Sequence, residues 1–425
     1  MRVCLFEDAA VANLEPLTLT RPVFELLCGM DSLASKHRHF FSATETGVLI
    51  RPYLVDLYRL EHPSISVNDE SWLRAGPTIL VNGRWLPPLE KADVSNPCLA
   101  WVGDQVAYAA LPPDLAADIS PDHLQSSFDH WKKNVPSKPA GGCFIEFPWD
   151  LVELNSKQLP QDLERLPLSP IDRTQNSNFA IVGPKDRLHV DPTAQIDPMV
   201  VVDTKRGPVM IDRKAVVHAF SRLEGPCYIG PETHVLGAKI RSGTTLGPKC
   251  RIGGEVEASI VHGHNNKYHD GFLGHSYVGE WVNIGAGTQN SDLRNDYGEV
   301  SVRVNGRLIN TNLTKVGCFI GDHTKIGLGA LINTGTTVGA FCNLLPSGGL
   351  LPRFIPSFCS WWQGSLKAND NWRQLLDTAS VMMGRRDNLF TEAHATLYSD
   401  LFDQTAFERQ RTLQIAQQRA WRHTG

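Results

Sequence analysis

Residues 320–339 read IGDHTKIGLGALINTGTTVG, and in them an aliphatic residue recurs at every sixth position: Ile320, Ile326, Ile332 and Val338, with Leu344 next in the series. Glycine follows the aliphatic in Ile320-Gly321, Ile326-Gly327 and Val338-Gly339. The same beat runs earlier through Ile211, Val217, Leu223, Ile229 and Val235, and returns at Val278-Gly279 and Ile284-Gly285. A helix repeats about every 3.6 residues and a strand about every 2, so neither explains a period of six. One side of a triangular β-coil does: a short strand, one inward aliphatic and a turn, with three sides closing a rung. Glycine is expected to relieve the backbone at the corners. A single rung cannot bury its aliphatics until another stacks on it, so the repeat predicts a solenoid. It is expected over residues 181–358, with Ile229, Val235, Ile320, Ile326, Ile332 and Val338 pointing inward.

The rest of the chain bounds the function more loosely. Its 425 residues suffice for two or three domains with cores of their own. The formal net charge of -4 and the lack of a long basic run argue against nucleic acid as a partner. Nine cysteines, in odd number and without a CxxC pair, read as small buried hydrophobes in a reducing compartment. The start, MRVCLFEDAAVANLEPL, carries Glu7 and Asp8 where a signal peptide would be continuously apolar, and no stretch approaches the ~20 apolar residues of a membrane helix. A cytoplasmic protein without membrane contact is expected.

Three regions are expected. Residues 1–175 alternate strand and helix signals, with strands at Met1–Phe6, at Pro77–Val81 ending in an Asn82-Gly83 turn, and at Cys98–Val102, which predicts an α/β domain. Leu166 to Asn178 is rich in Pro, Ser and Asn and reads as a linker. Residues 359–425 open on Trp361, Trp362 and Trp372 and take helical spacing through Leu375, Leu376, Met382, Phe402, Phe407 and Leu413. This reads as a short tail of two or three helices packed on the solenoid end, with the tryptophans as core anchors.

The repeat reads as interrupted twice. The first interruption, Ile260 to Leu273 (IVHGHNNKYHDGFL), lies in a stretch with four histidines: His262, His264, His269 and His275. The second is Gln289 to Thr314, where VSVRVNGRLIN alternates about Asn305-Gly306 and predicts a type I′ hairpin. Between them lies Val282-Asn283-Ile284-Gly285-Ala286-Gly287-Thr288. This VNIGAGT, with the following Asn and Tyr-Gly pair, resembles the acetyltransferase half of the bifunctional N-acetylglucosamine-1-phosphate uridyltransferase/glucosamine-1-phosphate acetyltransferases. That family places a His in a stretch ending Tyr-Leu-Gly, matched by His269-Asp270-Gly271-Phe272-Leu273-Gly274 with Phe272 for the Tyr. The longer run NKYHDGFLGHSYVGEWVNIGAGT is similar to the sugar nucleotidyltransferases related to those enzymes. The resemblance implies a left-handed parallel β-helix of hexapeptide repeats, an α/β nucleotidyltransferase-like N-terminal domain, a homotrimer with sites between neighbouring subunits, and work in UDP-N-acetylglucosamine metabolism.

Acetyl transfer from a thioester to an amine needs a base, a donor for the tetrahedral oxyanion and a hold on the pantetheine arm of acetyl-CoA. His269 is the candidate base, because an imidazole titrates near neutral pH. Asn283 and the Gly285-Ala286-Gly287 corner are candidates for orienting the acceptor, binding the oxyanion and seating CoA. Lys267, Arg294 and Tyr297 are candidates for holding a sugar phosphate. The family's phosphate-binding Lys upstream of the His has no match around Glu257 to Ser259. Blander readings stay open: His269 as a loop histidine, Lys267 as a solvated side chain, and the four histidines as a metal site. No Cys or carboxylate completes a recognisable ligand set there, so no metal is expected.

The N-terminal domain tests the same resemblance. The family's nucleotidyltransferase half opens on a Gly-rich loop followed by PLTxxxPK. This chain has Pro16-Leu17-Thr18-Leu19-Thr20-Arg21-Pro22, then Val23 in place of Lys. Its loop, Glu7 to Glu15, has no glycine and carries Glu7, Asp8 and Glu15, charges expected to repel a triphosphate. Asn82 with Gly83 in ILVNGR, or Asp104 in WVGDQ, is the candidate for the Mg²⁺-binding position, and Arg21 for a replacement charge. Three functions are carried forward. The leading one is CoA-dependent acyl transfer to an amino-sugar phosphate or nucleotide sugar beside a divergent nucleotidyltransferase domain. The others are a sugar-1-phosphate nucleotidyltransferase using UTP or dTTP whose coil trimerises it, and a non-catalytic sugar-nucleotide-binding protein.

Overall fold

The computed structural model describes residues 1–91, 93–111, 115, 124–164, 179–369 and 371–424, so the linker expected at 166–178 lies outside the described residues. The chain forms two compact units. The first comprises residues 1–14, 20–26 and 31–147; the second comprises residues 15–19, 27–30 and 148–425.

The first unit is built on a seven-stranded mixed sheet. In spatial order its strands are Ser137–Pro139, Cys98–Val102, Gln105–Ala110, Ile79–Asn82, Arg2–Phe6, Glu45–Leu49 and Ser66–Val67. The three strands read from the sequence are all present. Arg2–Phe6 is central because Val3, Cys4, Leu5 and Phe6 are buried on both faces, as a strand flanked by parallel neighbours must be. One correction concerns Asn82-Gly83. The strand runs through Asn82 and the turn is Gly83-Arg84. Gly83 is required for space, since a Cβ there would lie 2.8 Å from the Phe24 ring and 3.2 Å from the Phe6 carbonyl.

The second unit is a three-sided parallel β-helix. Its sides are parallel sheets of six, nine and ten strands; two final strands, Cys359–Trp362 and Ser365–Ala368, pair antiparallel at the end of the ten-stranded sheet. Every aliphatic of the six-residue beat is buried in one continuous core running from Leu188 to Cys359. The glycines after them serve a purpose other than the one expected. Gly247, Gly321 and Gly339 do not take left-handed conformations, but a Cβ on Gly247 would lie 1.3 Å from the His262 carbonyl and one on Gly321 would lie 2.7 Å from the Ala340 nitrogen. They let rungs stack closely. The left-handed corner residues of one edge are instead Lys249, His264, Trp281, His323, Phe341 and Phe358, at φ between +55° and +59°.

Two further expectations change. Ile260 to Leu273 is no interruption: Ile260, Asn266 and Phe272 pair in register with Tyr277, Asn283 and Glu255. Lys267 hid the rung by standing where the beat requires an aliphatic. The second break is real, and its hairpin, Ser301–Val304 with Arg307–Asn310, turns on Asn305 and Gly306 at φ +47° and +74°. The unit boundary also falls earlier than expected, at Phe147/Pro148. Helix Pro148–Glu164 packs on the coil through Trp149 against Phe319 (6.3 Å between rings), and Asn155 donates to Gly243 O (2.8 Å) and Thr245 Oγ1 (3.0 Å).

The tail begins as coil. Trp361 and Trp362 lie in strand Cys359–Trp362, whose Ser360 and Trp361 pair with Asn343 and Leu344. Helices Trp372–Gly384, Glu392–Gln404 and Ala406–Thr424 follow. They pack on the coil's final strand, through helix Ala406–Thr424 against Ser365–Ala368, and also on the aromatic corner. Tyr398 lies 5.2 Å from the His323 ring and 4.7 Å from Phe341, and Phe402 lies 5.3 Å from Phe358. No helix among the described residues is long and apolar enough to cross a membrane. All nine cysteines are free thiols, eight of them buried.

Candidate functional site

The ten-stranded sheet carries the candidate site. Each of its coil strands presents one residue outward and the next inward, so Asn266, Asn283 and Lys325 stack outward on consecutive rungs while Ile284 and Ile326 point into the core. Asn266 Nδ2 donates to Asn283 Oδ1 (2.8 Å), which fixes the orientation of the Asn283 amide. The strands end in stacked turns. Gly287 N–H donates to the Asp270 carbonyl and Gly329 N–H to the Ala286 carbonyl, each at 2.8 Å. The His269-Asp270 turn therefore lies beside the Gly285-Ala286-Gly287 turn at one corner of the coil. His269 is exposed, with the Tyr268 ring 5.2 Å away. Gly285 N–H donates to Ile326 O and Gly287 N–H to Asp270 O, so among these three glycine-corner residues the Ala286 N–H is the one with no partner among the described residues. An exposed imidazole, an oriented amide and a free backbone donor thus share one sheet edge.

Lys267 occupies a different place from the one expected. Its side chain is 3 % exposed, at an inward position filled by Ile252 one rung below and Ile284 one rung above. Its ammonium donates to the carbonyls of Gly253 (2.8 Å), Gly271 (2.9 Å) and His269 (3.5 Å). Three carbonyls match its three donors, so it braces the turn bearing His269 and does not face an external phosphate. Burial pushes its proton affinity down to about 8, with Asp270 opposing the shift.

The remaining predicted residues are more dispersed. Arg294 forks onto the Asp296 carboxylate at 2.8 and 2.5 Å, and Tyr297 is exposed in a left-handed conformation (φ +55°) in the same excursion. The four histidines do not gather at one centre, although His262 and His264 both approach Glu280, at 3.2 and 3.9 Å. His262 lies 3.2 Å from Glu280, His264 stacks on Trp281 at 4.1 Å between rings, and His275 meets Asp292 at 2.7 Å. Among the described residues no group of three or more His, Cys, Asp or Glu is placed to hold a metal ion. Lys325 was missed by the sequence reading. Its amine is tucked against the Trp281 carbonyl (2.7 Å), and burial pulls its proton affinity down to about 7. The available signal was its place immediately before Ile326, which matches that of Asn283 before Ile284.

In the first unit, Asn82 lies within a dense polar cluster at the end of the central strands. Arg84, 1 % exposed, grips Asp8 with two bonds (2.8 and 2.7 Å), reaches Glu146 (2.9 Å) and bonds the Gln105 amide (2.6 Å). Asn82 Nδ2 also donates to Asp8 (2.7 Å), as does the backbone N–H of Ala10 (3.1 Å). Burial works to raise the Asp8 pKa, but Arg84 and Asn82 outweigh it and hold the carboxyl below its usual range. Glu7 is likewise gripped by Arg51 at 3.0 Å. The expected bare acidic loop is therefore corrected: two of its three acids, Glu7 and Asp8, are each paired with an arginine. Mg²⁺ does not fit here either, because Arg84 already stands between the Asp8 and Glu146 carboxylates where a cation would sit. Asp104 is exposed in the turn just before Gln105, and the Arg21 carbonyl accepts from Arg51 (2.8 Å). Pro16 and Thr18 are buried, and their segment belongs to the second unit.

With this geometry in view, the relationships of the chain are informative. Residues 3–169 match the sugar nucleotidyl transferase family. Over 109 residues, 25% of the chain, it is 37% identical to a bifunctional sugar-1-phosphate nucleotidylyltransferase/acetyltransferase of Sulfurisphaera tokodaii, covering 27% of that protein. Over 139 residues, 31% of the chain, it is 30% identical to the bifunctional protein GlmU of Wigglesworthia glossinidia brevipalpis, covering 27% of it. The uncharacterized acetyltransferase YaiX of Escherichia coli is 26% identical over 212 residues, which span 49% of this chain and 90% of that one. The chain is related to these bifunctional transferases and spans little more than a quarter of the length of the first two.

Proposed function

We propose that the coil transfers an acetyl group from acetyl-CoA to an amino-sugar phosphate or a nucleotide sugar at the His269 corner. The observation that carries this reading is the stacking of the His269 turn on the Gly285-Ala286-Gly287 turn, with the Ala286 N–H unpaired. His269 takes the proton of the acceptor amine as its nitrogen attacks the thioester carbonyl. The Ala286 N–H, with Asn283 beside it, stabilises the oxyanion, and the carbonyl reforms as CoA thiolate departs. Relatives named as acetyltransferases support the reaction class. A homotrimer would bring a neighbouring coil against this edge to complete the CoA cleft.

The family match of residues 3–169 favours a second reading, sugar-1-phosphate nucleotidyl transfer in the first unit. Against it stands Asp8, whose carboxylate already takes the donors of Arg84, Asn82 and Ala10 that a phosphate would use. The coil reading is tested by His269→Ala. Turnover should fall by about 10²-fold or more with acetyl-CoA binding largely intact, and Asn283→Ala should give a smaller parallel loss. Full turnover in His269→Ala would remove the base assignment.

A further inference from the structure

The outward column of the ten-stranded sheet, from Gln195 to Ser360, holds no carboxylate. The neighbouring six-stranded sheet is the reverse: its outward cations are paired, Arg222 to Asp203 and Glu224 at 2.7 Å each, and Arg241 to Glu255 at 2.9 Å. On the acid-free column His234 and Arg251 are adjacent register partners, both half-buried. The tail adds a third cation. Arg386, just past helix Trp372–Gly384, donates to the Lys249 carbonyl at 3.0 Å. Arg251 is anchored in the same way, one nitrogen donating to the Glu232 and Cys250 carbonyls at 2.9 and 3.0 Å.

We propose that His234, Arg251 and Arg386 form a phosphate-binding site on the coil, which the C-terminal tail completes. Each guanidinium offers five N–H donors, and the carbonyl bonds above use only one nitrogen of each. The remaining edges of both forks meet no carboxylate at ion-pair distance among the described residues. Glu232 attracts Arg251 only from beyond that distance. The groups also repel one another. Beyond burial, Arg386 lowers the proton affinity of Arg251, and Arg251, His218 and Arg386 lower that of His234. His218 has its own acid, Asp197, at 3.3 Å. Like charges gathered with no counter-ion at ion-pair distance cost free energy, and a bound dianion reduces that cost. Planar guanidinium forks are suited to phosphate oxygens. A purely structural role for the arginines accounts for their carbonyl bonds but not for two arginines converging on one acid-free face.

The phosphate would come from CoA or from the sugar acceptor; only this choice of ligands rests on the acyl-transfer reading. The test is calorimetric titration of the full chain with CoA against dephospho-CoA, which lacks the 3′-phosphate, and with glucosamine 1-phosphate against glucosamine. The wild type should bind the phosphorylated member of one pair about tenfold more tightly, and Arg251→Met and Arg386→Met should each abolish that preference. Which pair discriminates assigns the source. Should a Met variant fail to fold, Arg386→Lys keeps the charge, loses the fork and should still reduce the preference several-fold. No preference in the wild type, or full preference in a folded variant, overturns the site. A discriminating protein that transfers no acetyl group would sink the acyl-transfer reading and leave the phosphate site standing.

Discussion

Lys267 shows how one residue can disguise a rung and hold a turn. Among inward aliphatics it removes apolar burial and places an ammonium where water cannot reach, which is costly unless its donors are met. They are met by three carbonyls, two of them in the turn that carries His269. The sign of its pH effect follows from a proton affinity lowered from 10.5 to about 8. Below pH 8 the amine is charged in both folded and unfolded chains, and burial costs the fold its full share, about 3 kcal/mol. Between pH 8 and 10.5 the folded chain sheds this proton first, the unfolded chain binds more protons, and stability climbs with pH. Lys267→Met lacks this climb. Denaturant titrations should find the variant's stability relative to wild type greatest below pH 8 and shrinking towards pH 10. A constant difference across that range would show that Lys267 is not neutralised by folding. In acetyl transfer, Lys267→Met should lower kcat more than it raises KM, because it loosens the base and leaves the ligands untouched.

The strands of the coil were legible because one inward residue per side repeats at six, and core packing tolerates little else there. The corners were not. His264, Trp281, His323, Phe341 and Phe358 are all aromatic but fall at no regular spacing in the chain; each sits at the same left-handed position, and they stack as a column with ring separations of 4.1, 6.2, 4.7 and 5.0 Å. A left-handed non-glycine residue costs about 1 kcal/mol, which the column offsets by stacking and by the cover of helix Glu392–Gln404. That cover is long-range, so the helical tail could be read from local spacing but its docking face could not. The same limit hid the Asp8–Arg84 pairing, made between residues 76 apart in the chain. His269 and the glycine corner were legible because local motif and stacking coincide; Lys325 and Arg386 depend on which strands and helices meet. Phe341, 1 % exposed, is the test of the column. Phe341→Ala should cost ~3–5 kcal/mol in chemical denaturation, as for other buried aromatics truncated in a rigid setting. A loss under about 1 kcal/mol would mean that the tail, not the column, holds this edge.

At the scale of the whole molecule, the two units predict unequal ligand behaviour. The first should bind UTP–Mg²⁺ only weakly, because Asp8 already fills its cluster of donors. Micromolar affinity by calorimetry, abolished in Arg21→Ala, would reverse the order of the two functional readings. The second unit argues for association. Met199 and Phe220 are 66% and 75% exposed, and both hold left-handed corners at φ +65° and +67°. Large apolar side chains held at strained, solvent-facing positions on adjacent rungs gain from cover by another molecule. Flat-sided coils can close about a three-fold axis, and closed symmetry leaves no contact face free to propagate. Light scattering should therefore give about three times the 47.0 kDa chain mass. Phe220→Ser with Met199→Ser should shift that mass towards the single chain if this corner lies in the contact. A strict monomer at micromolar concentration would end the trimer proposal. It would also leave the His269 corner to bind CoA without a neighbouring coil, so acetyl transfer by such a monomer would require the whole thioester site to lie within one chain.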